Sequence, residues 1–126
     1  MARYLTIRSE EAHLKVDLGG GPTAEEIWGC LPLEGSANFW GDEIYFEIPV
    51  SMEPESEAQE TVEVGDVGYW PQGEALCLFF GPTPASVDEK PKAASPVTVV
   101  GRVSEGLDNV ERIESGEPLR VEGVEE

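Results

Sequence analysis

Few side chains in this sequence are equipped for chemistry, and their spacing limits what they can do. In "NFWGDEIYFEIPV" (38–50), Tyr45 and Glu47 stand two residues apart, which puts a phenol and a carboxylate on one face of a strand. Such a pair can hold a cationic or hydrogen-bond-donating ligand where a groove runs past it; otherwise it is a solvated outer face. Tyr69-Trp70-Pro71 precedes Gly73, and an indole with its N–H partly wet either lines an apolar recess or packs at a rim. Cys30 and Cys77 are too few and too embedded in apolar sequence for a disulfide framework, so buried free thiols are expected. His13 alone adds no zinc ligand set to them. Neither metal nor cofactor is expected. Asp66, after Gly65, reads as turn chemistry rather than a general base. No GxSxG, P-loop or paired Cys-His spacing occurs, and "GGGP" at 19–22 reads as a turn.

The elements that must position these groups are short. "YLTIR" (4–8) reads as a strand, and in "EAHLKVDL" Ala12, Leu14, Val16 and Leu18 alternate with polar residues, which predicts a half-buried strand and a hairpin through Ser9 and Glu10. Thr23-Ala-Glu-Glu26 has the form of a capping box opening a short helix with Ile27, Trp28, Cys30 and Leu31 on its apolar face, stopped by Pro32. Ile44, Phe46 and Ile48 face one side of the next strand. "SMEPESEAQE" is an acidic exposed loop. A short strand follows at Val62 and Val64, then one at 67–70. The apolar run "ALCLFF" (75–80) is a central strand, with Leu76, Leu78 and Phe80 on one face and Cys77 and Phe79 on the other, as a wall covered by a helix demands. Residues 81–96 read as a long connection, "VTVVGRV" as a strand, "LDNVERIESG" as a short helix, and "PLRVEGV" as the last strand. The fold class is mainly β, a single domain over 1–126. About eight strands and two short capping helices fit a closed antiparallel barrel, because closure removes exposed edges; a β-sandwich is the competitor.

Composition narrows the partners. There are 26 acidic and 8 basic residues, a net charge of -18. That balance disfavours nucleic acid, whose binding relies on cationic side chains releasing counterions, and disfavours an anionic membrane surface. No apolar run approaches the ~18 residues of a membrane span, and Met1–Glu10 lacks a signal peptide's apolar stretch. A cytoplasmic location is the expectation.

Several stretches resemble cyclophilins. "HLKVDL…PTAEEIWGCL" is similar to that family's strand-turn and helix start, "VTVVGRVSEGLDNVERIESG" to its Val-Val-Phe-Gly-Lys-Val segment, and "GEALCLFF" to its Gly-Ser-Gln-Phe-Phe-Ile strand. "WGDEIYF" and "GDVGYWPQGEALCLFFG" look like signatures of the small prokaryotic cyclophilin-like proteins of unassigned function. The resemblance implies a cyclophilin-like β-barrel. It also implies a groove that, in cyclophilins, rotates the peptide bond before proline over a barrier of ~18–20 kcal/mol. An arginine donating toward the prolyl nitrogen is central to that chemistry. Matching "YFEIP" (45–49) to the family's arginine strand puts Phe46 or Glu47 at its place, and neither can donate as an arginine does; an ionised glutamate only accepts. By the same matching Leu78 falls at a pocket phenylalanine, Val97 near a pocket histidine, and Trp70 near a small alanine, where it would fill the proline site.

The favoured reading is therefore a non-catalytic protein that binds a small molecule or peptide in the former proline groove. Tyr45, Phe46, Glu47, Tyr69, Trp70 and Leu78 are the groove candidates. A weak peptidyl-prolyl isomerase relying on apolar desolvation is the second reading. A homodimer burying a sheet edge or the acidic loop 51–60 is the third.

Overall fold

The computed structural model describes residues 2–126. The chain forms strands β1 (Arg3–Arg8), β2 (His13–Leu18), β3 (Leu33–Ser36), β4 (Asn38–Phe39), β5 (Glu43–Glu47), β6 (Gln59–Thr61), β7 (Asp66–Trp70), β8 (Ala75–Phe79), β9 (Lys92–Glu105) and β10 (Pro118–Glu125). A helix α1 (Pro22–Gly29) and a 3₁₀ helix (Leu107–Arg112) accompany them. Every pairing is antiparallel. The order along the sheet is β3-β10-β1-β2-β9-β7-β8-β5-β4, with β6 added on β9. The architecture is mainly β, with ten strands rather than eight.

The sheet does not close into a barrel. β3 and β4, its two end strands, are joined through Ala37, yet no ladder links them. Packing fills the seam instead: Phe46 of β5 lies against Gly35 of β3, so closely that a Cβ on Gly35 would stand 2.8 Å from Phe46 Cδ2. Closure would have removed the exposed edges. Here the edges are kept short, four residues in β3 and two in β4, which is the other way to limit edge pairing.

Alternation sets the core. Leu5 and Ile7 of β1 and Leu14 and Val16 of β2 are buried, and the Ser9 hydroxyl accepts the Ala12 N–H at 3.1 Å to close their hairpin. Leu76 and Leu78 enter the main core with Ile44, Phe46, Val67 and Tyr69. Cys77 and Phe79 point to the opposite face, where they meet Val62, Ala93 and Val97. The split across β8 follows its residue order, but Val62, just after β6, and the start of β9 supply the cover rather than a helix.

Two terminal signals resolve differently from the sequence. α1 begins at Pro22 after Gly21, with no side-chain cap from its own residues. Thr23 lies inside the first turn, its hydroxyl buried without a hydrogen-bond partner, so the expected capping box does not form. The Glu55 carboxylate, from the acidic segment, accepts the Thr23 N–H at 3.1 Å, an anion at a helix N-terminus supplied from 32 residues away. The stretch read as a connection to residue 96 is strand from Lys92 onward; Pro96 within it is exposed. Among the described residues no helix is long and apolar enough to cross a membrane.

Candidate functional site

Three strands and a turn converge on the face of the sheet opposite the main core. On β5, Glu43, Tyr45 and Glu47 alternate with the core residues Ile44 and Phe46. Their partners across the ladder on β8 are Phe79, Cys77 and Ala75. β7 ends at Trp70, and Ala94 lies on the β9 stretch beside it. Trp40 comes from the turn before β5, where its N–H donates to the Glu43 carbonyl at 2.9 Å. Trp40, Glu43, Tyr45, Trp70 and Ala94 together line a recess of about 200 Å³.

The aromatic walls are anchored. Tyr45 and Trp70 meet edge to face, with ring centroids 6.4 Å apart at 80°, a favoured aromatic geometry. The Trp70 indole N–H donates to the Ser95 hydroxyl, which in turn hydrogen-bonds the Gln72 side-chain oxygen at 3.3 Å. Gly73 holds the ring from behind: a Cβ there would lie 2.5 Å from Trp70 Cε3 and Cζ3. Gly73→Ala should therefore push the indole out of place at a cost of roughly 1–3 kcal/mol, the usual range for overpacking. The Trp70 indole N–H resonance should shift while that of Trp28 stays put. An unmoved Trp70 signal would show that the turn, not the ring, gives way.

Glu43 is the carboxylate of the lining and is only 5 % exposed. Its Oε1 is buried without a hydrogen-bond partner, an arrangement that costs free energy when the group is charged. Burial pushes its carboxyl up to about 7, against a smaller lowering by the Cys77 thiol. Burial, then the Glu43 charge, pushes the Cys77 thiol well up. Cys77 is consequently a packed, protonated thiol rather than a nucleophile.

The groove candidates separate between the two faces. Tyr45 and Trp70 line the recess. Glu47, further along the same face, is exposed and lies outside the lining. Phe46, Tyr69 and Leu78 are buried in the main core on the other side and do not reach the recess. Tyr69 is spent structurally: its hydroxyl donates to the Val50 carbonyl at 2.6 Å and accepts the Met52 N–H at 3.2 Å. Trp40, Glu43 and Ala94 were not singled out by the sequence. Carrying the alternation one step back from Tyr45 would have put Glu43 on the recess face. Asp66 does serve its turn, accepting the Glu63 N–H at 2.9 Å and the Arg102 guanidinium at 2.9 Å. Among the described residues no group of three or more His, Cys, Asp or Glu side chains is arranged to hold a metal ion.

The chain is thus a mainly β protein whose antiparallel sheet carries an aromatic recess on the face opposite the main core. The chain belongs to the family described as cyclophilin-like, whose model matches residues 3–122. It is similar to a hypothetical protein of Archaeoglobus fulgidus known from its solution structure, with 43% sequence identity, coverage of 96% of this chain and 93% of that one, and a TM-score of 0.81. No curated protein matches the chain. The expected kinship with a small prokaryotic cyclophilin-like family of unassigned function is thereby met.

Proposed function

We propose that the protein is a non-catalytic binding protein that seats a small molecule, or one side chain of a peptide, in the recess formed by Trp40, Glu43, Tyr45, Trp70 and Ala94. One observation carries the reading. Glu43, which lines the aromatic hollow, has a buried carboxyl oxygen without a partner, whereas buried polar groups ordinarily find partners within the fold. A ligand would supply the missing one. The size supports a small occupant, because sites for drug-sized molecules typically span ~300–1,000 Å³ and this recess holds about 200 Å³.

The composition of the walls also supports binding over isomerisation. Among the described residues no arginine lines the recess, and losing a preorganised transition-state donor lowers a rate by roughly 10²–10³. A thermal-shift screen of small molecules against the wild type and Trp70→Ala tests the proposal. Stabilising ligands lost in the variant support it; a screen in which every hit survives Trp70→Ala would locate binding elsewhere. A protease-coupled assay on Xaa-Pro peptides should return the buffer rate.

A further inference from the structure

We propose that the occupant of this recess is a small organic cation, an alkylated ammonium head seated against Trp40, Tyr45 and Trp70 with Glu43 as its counter-charge. This names the ligand class for the binding site argued above and rests on that reading.

Among the described residues Glu43 is the one carboxyl in the lining, and no basic side chain shares the recess with it. Elsewhere the chain's cations are committed. Arg3, Arg8, Lys15, Lys90, Lys92, Arg102 and Arg120 all pair with carboxylates, leaving Arg112 beside the separate cluster of Glu10, Glu11, Glu114 and Glu117. Among the described residues an ionised Glu43 therefore has no cation to meet it, and a buried charge is costly until paired.

Aromatic faces attract cations through the negative face of the ring, and alkylated ammonium groups are bound in cages built this way. The fold already uses the interaction in two places: Lys15 Nζ stands 4.0 Å from the Tyr4 ring centroid, and the Arg3 guanidinium lies 4.8 Å from the Trp28 ring centroid. Among the described residues, no Lys or Arg covers Trp40, Tyr45 or Trp70. An anion would meet the same rings and carboxyl unfavourably. With a net charge of -18, the surrounding field concentrates cations near the surface. The small volume excludes a bulky cation and suits one head group.

A proton and the cation compete for the same carboxyl. Cys77 on β8 is the titratable group set against Glu43. Asp42 and Tyr45 flank it on its own segment, while Trp70 and Ala94 bring no titrating group from β7 and β9. With the carboxyl at about 7, the binding-competent ionised fraction falls roughly tenfold from pH 8 to pH 6, and the apparent affinity falls with it.

Choline chloride and its uncharged isostere 3,3-dimethylbutan-1-ol provide the test, titrated into wild-type protein while the three indole N–H resonances are followed by NMR. Choline should shift Trp40 and Trp70 and bind at least tenfold more tightly than the alcohol at pH 8. That preference should shrink about tenfold at pH 6 and vanish in Glu43→Gln. Equal binding of the two probes would overturn the cation assignment while leaving the recess a ligand site. Binding of neither probe, while the screen yields other ligands sensitive to Trp70→Ala, would also overturn it. Absence of any recess ligand would fell both this inference and the function it rests on. The wild-type comparison stands even if the Gln variant does not fold.

Discussion

Replacing Glu43 by Gln should make the protein progressively more stable than wild type as pH rises, the advantage growing by roughly 2–3 kcal/mol between pH 5 and pH 8.5. The folded-state value is about 7 against an ordinary value of 4.5. Below about pH 4.5 the folded and unfolded chains both keep this proton, and the site contributes no pH dependence. As pH rises toward 7 the unfolded chain releases it while the folded chain retains it. Unfolding is thus favoured increasingly, and the penalty levels off above the folded-state value. Glutamine preserves the shape without the titration. Urea unfolding of both proteins across this range checks the result. The comparison cancels the contributions of the other 25 acidic residues, which follow from 26 in the sequence less Glu43 itself. A pH-independent difference between the two proteins would mean that Glu43 is hydrated in solution.

Phe46→Ala should cost about 3–5 kcal/mol, the range for removing a large buried aromatic. The ring is 1 % exposed and packs on Gly35 across the seam between the sheet's ends. The loss should therefore fall on the join between β5 and β3 as well as on core volume. Because the side chain points away from Trp70 and Tyr45, ligand affinity at temperatures well below the melt should stay within about twofold. Chemical denaturation and a binding titration on the same sample separate the effects. A large drop in affinity with little loss of stability would place Phe46 at the site after all.

These outcomes bear on what could be read without coordinates. The two faces of β8 were legible because a run such as Leu76-Cys77-Leu78-Phe79 needs only strict alternation once one face is assigned. The β1–β2 hairpin was legible for the same reason. β3 (Leu-Glu-Gly-Ser) and β6 (Gln-Glu-Thr) were not, since neither carries an apolar alternation; each exists because a neighbour offers a ladder. Thr23 matched a capping pattern, but Pro22 with its fixed φ took the first helical position and Glu55 took the capping bond. That partner is 32 residues distant, beyond any local rule. At the site, Tyr45 and Trp70 were found through their ring types and neighbouring turn. Glu43 was hidden among 26 acids, and only tertiary burial distinguishes it. Phe46 and Leu78 were placed in a groove by matching to a family pattern, whereas their own alternation had already assigned them to the interior.

The position of β10 has a consequence for biosynthesis. It lies between β3 and β1, so two segments translated early both wait for a neighbour that is translated after them. Local hairpins can form during elongation, but the sheet cannot become continuous until the stretch from Pro118 to Glu125 has emerged. Such a chain gains its cooperative stability late, in a step dominated by contacts distant in sequence, and a nascent form stalled before that stretch would leave β1 and β3 without their shared partner.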